Sequence, residues 1–348
     1  MRAKILDFLQ KEIDSEHIPG AVLHVSYKGE VLLQEAIGER SCYPEKSPMT
    51  LDTVFDLASL TKVVTTTPAI LKLIDDGEIR LDDPIAHFLP NFQQNGKNEV
   101  KIRHLLTHTS GLGAHRSFYD KGLNEEQILN HIYSEPLEYA IGERVIYSDL
   151  GFITLYKLIE EVTQEGFPTF VDEMFFKPLE MTETTFLPKF DKKRYAPTEY
   201  SDKLQTYKCG IVHDENTETM GGISGHAGLF STIHDLQNYA SMIENNGIFR
   251  GKRYLSEAVL KTSKRNYTPF DDEFRGLGWM MKSPARASCG DLFSEQSYGH
   301  TGFTGTSIWF DPTIQLHVIL LTNRVHFGRK PHMIRLRPRL HNIIRSYF

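Results

Sequence analysis

Ser59 and Lys62 stand three residues apart in the run Phe55-Asp56-Leu57-Ala58-Ser59-Leu60-Thr61-Lys62-Val63-Val64. If this run begins a helix, residues three apart share a face, and the lysine nitrogen lies beside the serine hydroxyl. A serine hydroxyl is a weak nucleophile until a neighbour takes its proton, so the pair suggests an activated serine. A Ser-x-x-Lys spacing arises about once by chance in a chain of this length and ordinary composition, so its weight depends on what accompanies it. Two further segments do: Arg144-Val145-Ile146-Tyr147-Ser148-Asp149-Leu150-Gly151, just before a predicted helix, and Tyr298-Gly299-His300-Thr301-Gly302-Phe303-Thr304-Gly305-Thr306, just before a predicted strand. They add a phenol, a carboxylate and an imidazole to the serine and the amine.

The remaining chemistry-bearing residues read as structural. His104 and His108 are four apart, a spacing that suits a metal, but Leu105 stands where a zinc peptidase places its glutamate. They are expected to brace the loop at Ser110-Gly111. His213-Asp214-Glu215 reads as a polar loop. Gly222-Ile223-Ser224-Gly225-His226 fails the nucleophile-elbow pattern, because His226 occupies the place of its last glycine. Cys42, Cys209 and Cys289 are odd in number and form no Cys-x-x-Cys pair, which argues against a zinc knuckle or a disulfide framework.

The elements that must carry these residues follow from the hydrophobic pattern. Residues 1–12 form an amphipathic helix. Ala21–Tyr27 and Val31–Ile37 form a hairpin around Lys28-Gly29-Glu30. The apolar pattern after Ser59 runs to Gly77, with a kink or break expected at Pro68. Helical patterns dominate to about residue 187, including Glu125–Tyr133 and Leu150–Thr163, and residues 188–224 are irregular. Helices return at Ile233–Asn245 and Ser256–Thr262. Strands follow at Gly278–Lys282, Gly305–Asp311 and Gln315–Leu321, and a last helix at Met333–Tyr347. Strands thus occupy both chain ends and helices the middle. The expected fold is α/β plus all-α: an antiparallel sheet flanked by helices, with an inserted helical lobe. Residues 1–58 and 221–348 would form the sheet domain and residues 59–220 the helical one.

A chain of 348 residues with 40% hydrophobic and 24% charged residues can bury a large core. A net charge of −6 without a long basic stripe argues against a nucleic-acid binder. Arg324, Arg329, Lys330, Arg335, Arg337 and Arg339 form a local basic excess, read as a solvated helix face. No apolar run is long enough to span a membrane. With no apolar leader the expectation is a cytoplasmic protein, or an exported one if a leader has been removed.

Taken in order, Ser59-x-x-Lys62, Tyr147-Ser148-Asp149 and His300-Thr301-Gly302 resemble the three motifs of the serine β-lactamase/penicillin-binding-protein superfamily, in its class C β-lactamase-like branch. His104–Leu112 and Gly222–Leu229 resemble recurrent segments of the same branch, and the likeness spans roughly residues 18 to 347. The resemblance implies a β-lactamase/D,D-peptidase-like fold, an acyl-enzyme mechanism on Ser59 and no metal or cofactor. It further implies a small-molecule or peptidoglycan-derived substrate, and an oxyanion hole made by the backbone N–H groups of Ser59 and Phe303. Asp149, His300, Thr301, Gly302 and Phe303 would bind substrate. Phenol and amine have reference pKa values near 10 and 10.4, so neither is a base at neutral pH without help. Positive charge beside Tyr147 favours its phenolate, which points to Tyr147 as general base and Lys62 as the tuning charge. The reverse assignment stays open.

Two departures from the family pattern bear on the substrate. Asp149 replaces the usual Asn, favours a protonated Lys62 and loses an amide donor. His300 replaces the usual lysine and its fixed charge. Ester or D-amino-acyl amide hydrolysis is therefore expected alongside weak β-lactam hydrolysis, with Arg324 a candidate compensating cation. The alternative is a non-catalytic cell-wall sensor on the same fold, for which a base beside the serine would have no use.

Overall fold

The computed structural model describes residues 1–284 and 287–348. Seven strands form one antiparallel sheet, in the order Met280–Met281, Tyr298–Thr301, Ser307–Asp311, Leu316–Leu321, Gly20–Tyr27, Glu30–Ser41 and Ser47–Pro48. The N-terminal hairpin joins the C-terminal strands as the pattern predicts, with Val22 opposite Leu321 and Tyr27 opposite Leu316.

Successive residues of a strand face opposite sides of the sheet. Ala21, Leu23, Val25, Val318 and Leu320 pack on one face with Ile5, Leu9, Leu336 and Leu340 of the terminal helices Arg2–Asp14 and Met333–Arg345. Val22, Ile308, Ile319 and Leu321 join a second core with Leu236 and Tyr239 of the helix Ile233–Glu244. Cover on both faces accounts for the nearly unbroken burial of the Gly20–Tyr27 strand, in which even the polar His24 and Ser26 are buried. The division at residues 58/59 and 220/221 is kept as a proposal about lobes. The larger core draws on both segments, since Phe55, Leu60, Leu150, Phe152, Leu229 and Ile319 all belong to it.

Three expectations need correction. Pro68 does not end its helical run. The chain is helical from Ala58 to Asp75, and a π-helical stretch at Lys62–Thr66 precedes the α-helix Thr67–Asp75. There the Thr67 N–H donates to the Lys62 carbonyl, five residues back. Pro68 has no N–H to donate to the next carbonyl of that pattern, Val63, which accepts from the Tyr239 hydroxyl instead. Second, His300 and Thr301 do not precede a strand: they end the strand Tyr298–Thr301, with His300 opposite Ile308 and Thr301 opposite Ser307. Three glycines in eight residues hid this strand from its propensity. Third, the basic C-terminal cluster is not a uniformly solvated face, because Arg337 is buried.

Candidate active site

Ser59 lies at the start of the helical run, directly after Ala58, whose φ of +46° is left-handed. That conformation is costly for a residue with a Cβ and persists only where its surroundings impose it. Asp56 does so: one carboxylate oxygen accepts the Ala58 N–H at 2.8 Å and the other the His213 N–H at 2.6 Å. Burial pushes the Asp56 carboxyl above its ordinary value.

Lys62 has no exposed surface, and its ammonium donates to Ser59 Oγ at 3.0 Å, to Asp149 Oδ1 at 2.8 Å and to the His226 carbonyl at 3.1 Å. An ammonium has three N–H donors, so all three are used. Burial alone would lower the Lys62 pKa; the Asp149 carboxylate outweighs it and holds the pKa above the ordinary lysine value. The converse holds for Asp149: burial works to raise its pKa, and the Lys62 charge and the His115 ring, 3.6 Å away, keep it well below the usual carboxylate range. Asp149 is also the first residue of the helix Asp149–Thr163, where the helix dipole favours an anion. The Gly222–His226 loop supplies the third acceptor. His226 is held in turn by Ser224 Oγ at 2.8 Å and Asp214 at 3.0 Å.

Tyr147 presents its ring face to Lys62, with Nζ 4.8 Å from the ring centre. Its hydroxyl is buried and has no hydrogen-bond partner among the described residues. His108 does more than brace its own loop. Its ring packs 4.6 Å from Tyr147, and Nδ1 accepts the Ser148 N–H at 3.0 Å, fixing the Tyr147–Asp149 segment. His104 accepts the Lys101 N–H at the start of its own helix.

The third motif closes the other wall. Gly302 stands where a Cβ would meet Thr306 Oγ1 at 2.1 Å and the Leu57 carbonyl at 2.4 Å, so only glycine lets the hairpin approach the Ser59 segment this closely. Thr304 Oγ1 donates to the Asp56 carbonyl at 2.7 Å and Thr306 Oγ1 to the Leu57 carbonyl at 3.0 Å. The backbone N–H groups of Ser59 and Phe303 have no protein partner among the described residues. His300 is buried, and burial, Lys62 and Arg275 push its pKa far below the ordinary histidine value. Its Nδ1 lies 2.9 Å from the Thr301 carbonyl, which only accepts; Nδ1 therefore carries the proton of the neutral ring, and Nε2, unpartnered among the described residues, keeps the lone pair.

Ser59, Tyr147, His300, Thr301, Gly302 and Phe303 share a cavity of about 380 Å³, with Lys62 and Asp149 behind the serine. Arg324 is on its wall as anticipated, its Nε donating to the Phe303 carbonyl at 2.9 Å. Arg275 and Arg337 are there too and were not legible as site residues. Arg275 is 4% exposed and its guanidinium carbon lies 5.4 Å from the Tyr147 ring centre. One of its nitrogens donates to Glu273 at 2.6 Å, while Nε and Nη1 are buried without a partner among the described residues. The single cue in the sequence is an arginine set within the apolar, glycine-rich run Phe274–Trp279. The loops at 113–123 and 188–224 do not line this cavity; residues 273–280 and 324–337 do. Among the described residues no group of three His, Cys, Asp or Glu side chains is arranged to hold a metal, and no helix is long and apolar enough to cross a membrane.

Residues 5–340 match the family model described as Beta-lactamase. A protein of Escherichia coli (strain K12) named "Putative D-alanyl-D-alanine carboxypeptidase" is 32% identical over 333 residues, covering 86% of this chain and 73% of that protein. The protein of the same name from Salmonella typhimurium is 31% identical over 355 residues, covering 92% of this chain and 82% of that one. Among solved structures, EstCE1, a hydrolase with promiscuous acyltransferase activity, superposes with a TM-score of 0.76 at 24% identity, over 96% of this chain and 97% of that one. A class C β-lactamase from Rhodobacter sphaeroides does so with a TM-score of 0.77 at 18% identity, over 99% of each chain. At these identities the two structures speak for the fold.

Proposed function

The chain belongs to the β-lactamase family of serine hydrolases, and from that premise we propose that Ser59 is an acyl-accepting nucleophile and that the preferred leaving group carries a carboxylate. The observation that carries the first half is Lys62: fully buried, protonated and donating to Ser59 Oγ, with its other two donors committed to Asp149 and His226. An amine so engaged has no lone pair to offer, so Lys62 acts as the fixed cation and Tyr147 as the base. Tyr147 takes the Ser59 proton as Oγ bonds to the substrate carbonyl carbon. The developing oxyanion accepts from the Ser59 and Phe303 N–H groups. Collapse of the tetrahedral intermediate breaks the bond to the leaving group, which receives the proton from Tyr147. Water then attacks the Ser59 ester by the same route and frees the acid.

Arg275 supports the second half. Neutral His300 offers no cation, whereas Arg275 sets a buried guanidinium in the wall of the same cavity, with Nε and Nη1 unpartnered among the described residues. An arginine in this state is matched to a carboxylate. As a carboxylate Asp149 would repel an anionic substrate, but its charge is offset by pairing with Lys62. The name of the Escherichia coli relative, a carboxypeptidase, agrees with such a leaving group.

The test compares N-acetyl-D-alanyl-D-thiolactate with its neutral carboxamide, beside p-nitrophenyl butyrate and nitrocefin. Ser59→Ala abolishes all turnover. Arg275→Met lowers kcat/KM for the free acid by about 10- to 100-fold, matching the 1.5–3 kcal/mol of a charged hydrogen bond, and leaves the carboxamide within about twofold. Turnover surviving Ser59→Ala overturns the nucleophile; equal losses on acid and carboxamide overturn the carboxylate.

A further inference from the structure

Phe303 N–H belongs to the peptide unit whose other face is the Gly302 carbonyl. A trans peptide is planar, with C=O and N–H pointing to opposite sides, so whatever holds the carbonyl also aims the N–H. The Gly302 carbonyl accepts from Arg337 Nη2 at 3.0 Å and from the Gly305 N–H at 3.1 Å. The same Arg337 nitrogen donates to the Thr306 carbonyl at 2.9 Å, so one atom ties both ends of the turn. Arg337 comes from the C-terminal helix Met333–Arg345 and is 9% exposed. No carboxylate pairs with it among the described residues; the charged neighbour that bears on it is Arg324, and with burial it draws the guanidinium pKa down to about 9. Its charge is thus directed at two carbonyl oxygens. A charged donor on one side of an amide polarises it and strengthens the N–H on the other.

We propose that Arg337 is a positioning residue that aims and polarises the Phe303 N–H through the Gly302 carbonyl, so that an arginine buried in the C-terminal helix sets the strength of the oxyanion hole. This rests on the reading of Ser59 as nucleophile. Thr304 and Thr306 complete the bracket by tying the same turn to the carbonyls of Asp56 and Leu57, just ahead of Ser59. The other N–H in that reading is Ser59's own, so the spacing of the two donors is set by the two threonine bridges and by Arg337 rather than by a flexible loop.

The proposal separates from direct substrate binding, because Arg337 also faces the cavity. A residue that binds a leaving-group carboxylate matters only to substrates that have one. A residue that sets the oxyanion hole matters equally to all of them and acts on kcat. Losing a whole oxyanion donor costs about 100- to 1,000-fold in kcat. Weakening one therefore predicts about a 10- to 100-fold loss of kcat in Arg337→Met, the same for N-acetyl-D-alanyl-D-thiolactate and its carboxamide, with KM within about twofold. Arg337→Lys keeps the charge but not the reach and falls between. Rates are normalised to the sites titrated by a fluorophosphonate, so lost folding does not count as lost catalysis. Should Arg337→Met not fold, Arg337→Lys decides. A folded variant at wild-type kcat, or a loss confined to the free acid, overturns the proposal. Failure of the Ser59 reading is distinguishable: the fluorophosphonate then does not label wild-type protein at Ser59, and the Arg337 role falls with it.

Discussion

Asp149→Asn removes the counter-charge of a lysine with no accessible surface. Lys62 Nζ and Asp149 Oδ1 are 2.8 Å apart, and the Asp149 side chain is 19% exposed. At an effective dielectric constant of about 20, unit charges at that separation attract by about 6 kcal/mol. Asparagine keeps an oxygen for one Lys62 donor, and water reaches part of Asp149, so the net loss falls near the lower end of what breaking a buried pair costs, about 3 kcal/mol. For a chain of this length that corresponds to a melting point lower by about 4 °C. The pH dependence has a definite sign. The folded pKa of Asp149 lies below its unfolded value, so its stabilisation is present above the unfolded value near pH 4 and fades as pH falls through the folded one. The folded pKa of Lys62 is raised, so its share is lost only as pH rises through that raised value. The deficit of Asp149→Asn is therefore full at pH 7 and shrinks at pH 2.5. The variant also frees Lys62 to be lowered by burial, and its kcat–pH profile gains an ionisation that the wild type lacks. Urea unfolding at both pH values and the kcat–pH profile read these effects. Equal stability at pH 7, or a deficit that grows toward low pH, refutes the account of the pair.

Gly302→Ala forces a Cβ into Thr306 Oγ1 and the Leu57 carbonyl, displacing the hairpin by about 1 Å from Ser59 and lowering kcat/KM by about 100-fold; burst kinetics measure it, and near-wild-type acylation contradicts it. His24 has no exposed surface, and burial with His317 nearby pulls its pKa down to about 4. Its stabilisation is complete above the unfolded value of about 6.5 and is lost as pH falls to 4, a swing of about 3 kcal/mol. Urea midpoints at pH 7 and pH 4 should therefore fall further in the wild type than in His24→Gln, and parallel falls would count against it.

The sheet, its antiparallel sense and the helical middle were legible because apolar periodicity survives in both. So were Ser59, Lys62, Tyr147 and His300, because short motifs keep their spacing along the chain. What escaped the sequence depends on distance in space. Arg275 and Arg337 look like ordinary surface arginines, and only the packing of residues 273–280 and 324–337 against the His300 strand buries them. The His226 carbonyl is a backbone atom and carries no side-chain signature, yet it supplies the third acceptor for Lys62. The strand Tyr298–Thr301 is masked by glycines whose value lies in close approach, at Gly299 to Trp309 and at Gly302 to Leu57.

The central claim is that Ser59 is acylated and then deacylated by water. Mass spectrometry of protein quenched during turnover of N-acetyl-D-alanyl-D-thiolactate, followed by peptide mapping, tests it directly. The account predicts a transient adduct of the acyl fragment on the peptide containing Ser59, absent in Ser59→Ala and gone when substrate is exhausted. An adduct on another residue, or turnover with no adduct and undiminished in Ser59→Ala, contradicts it.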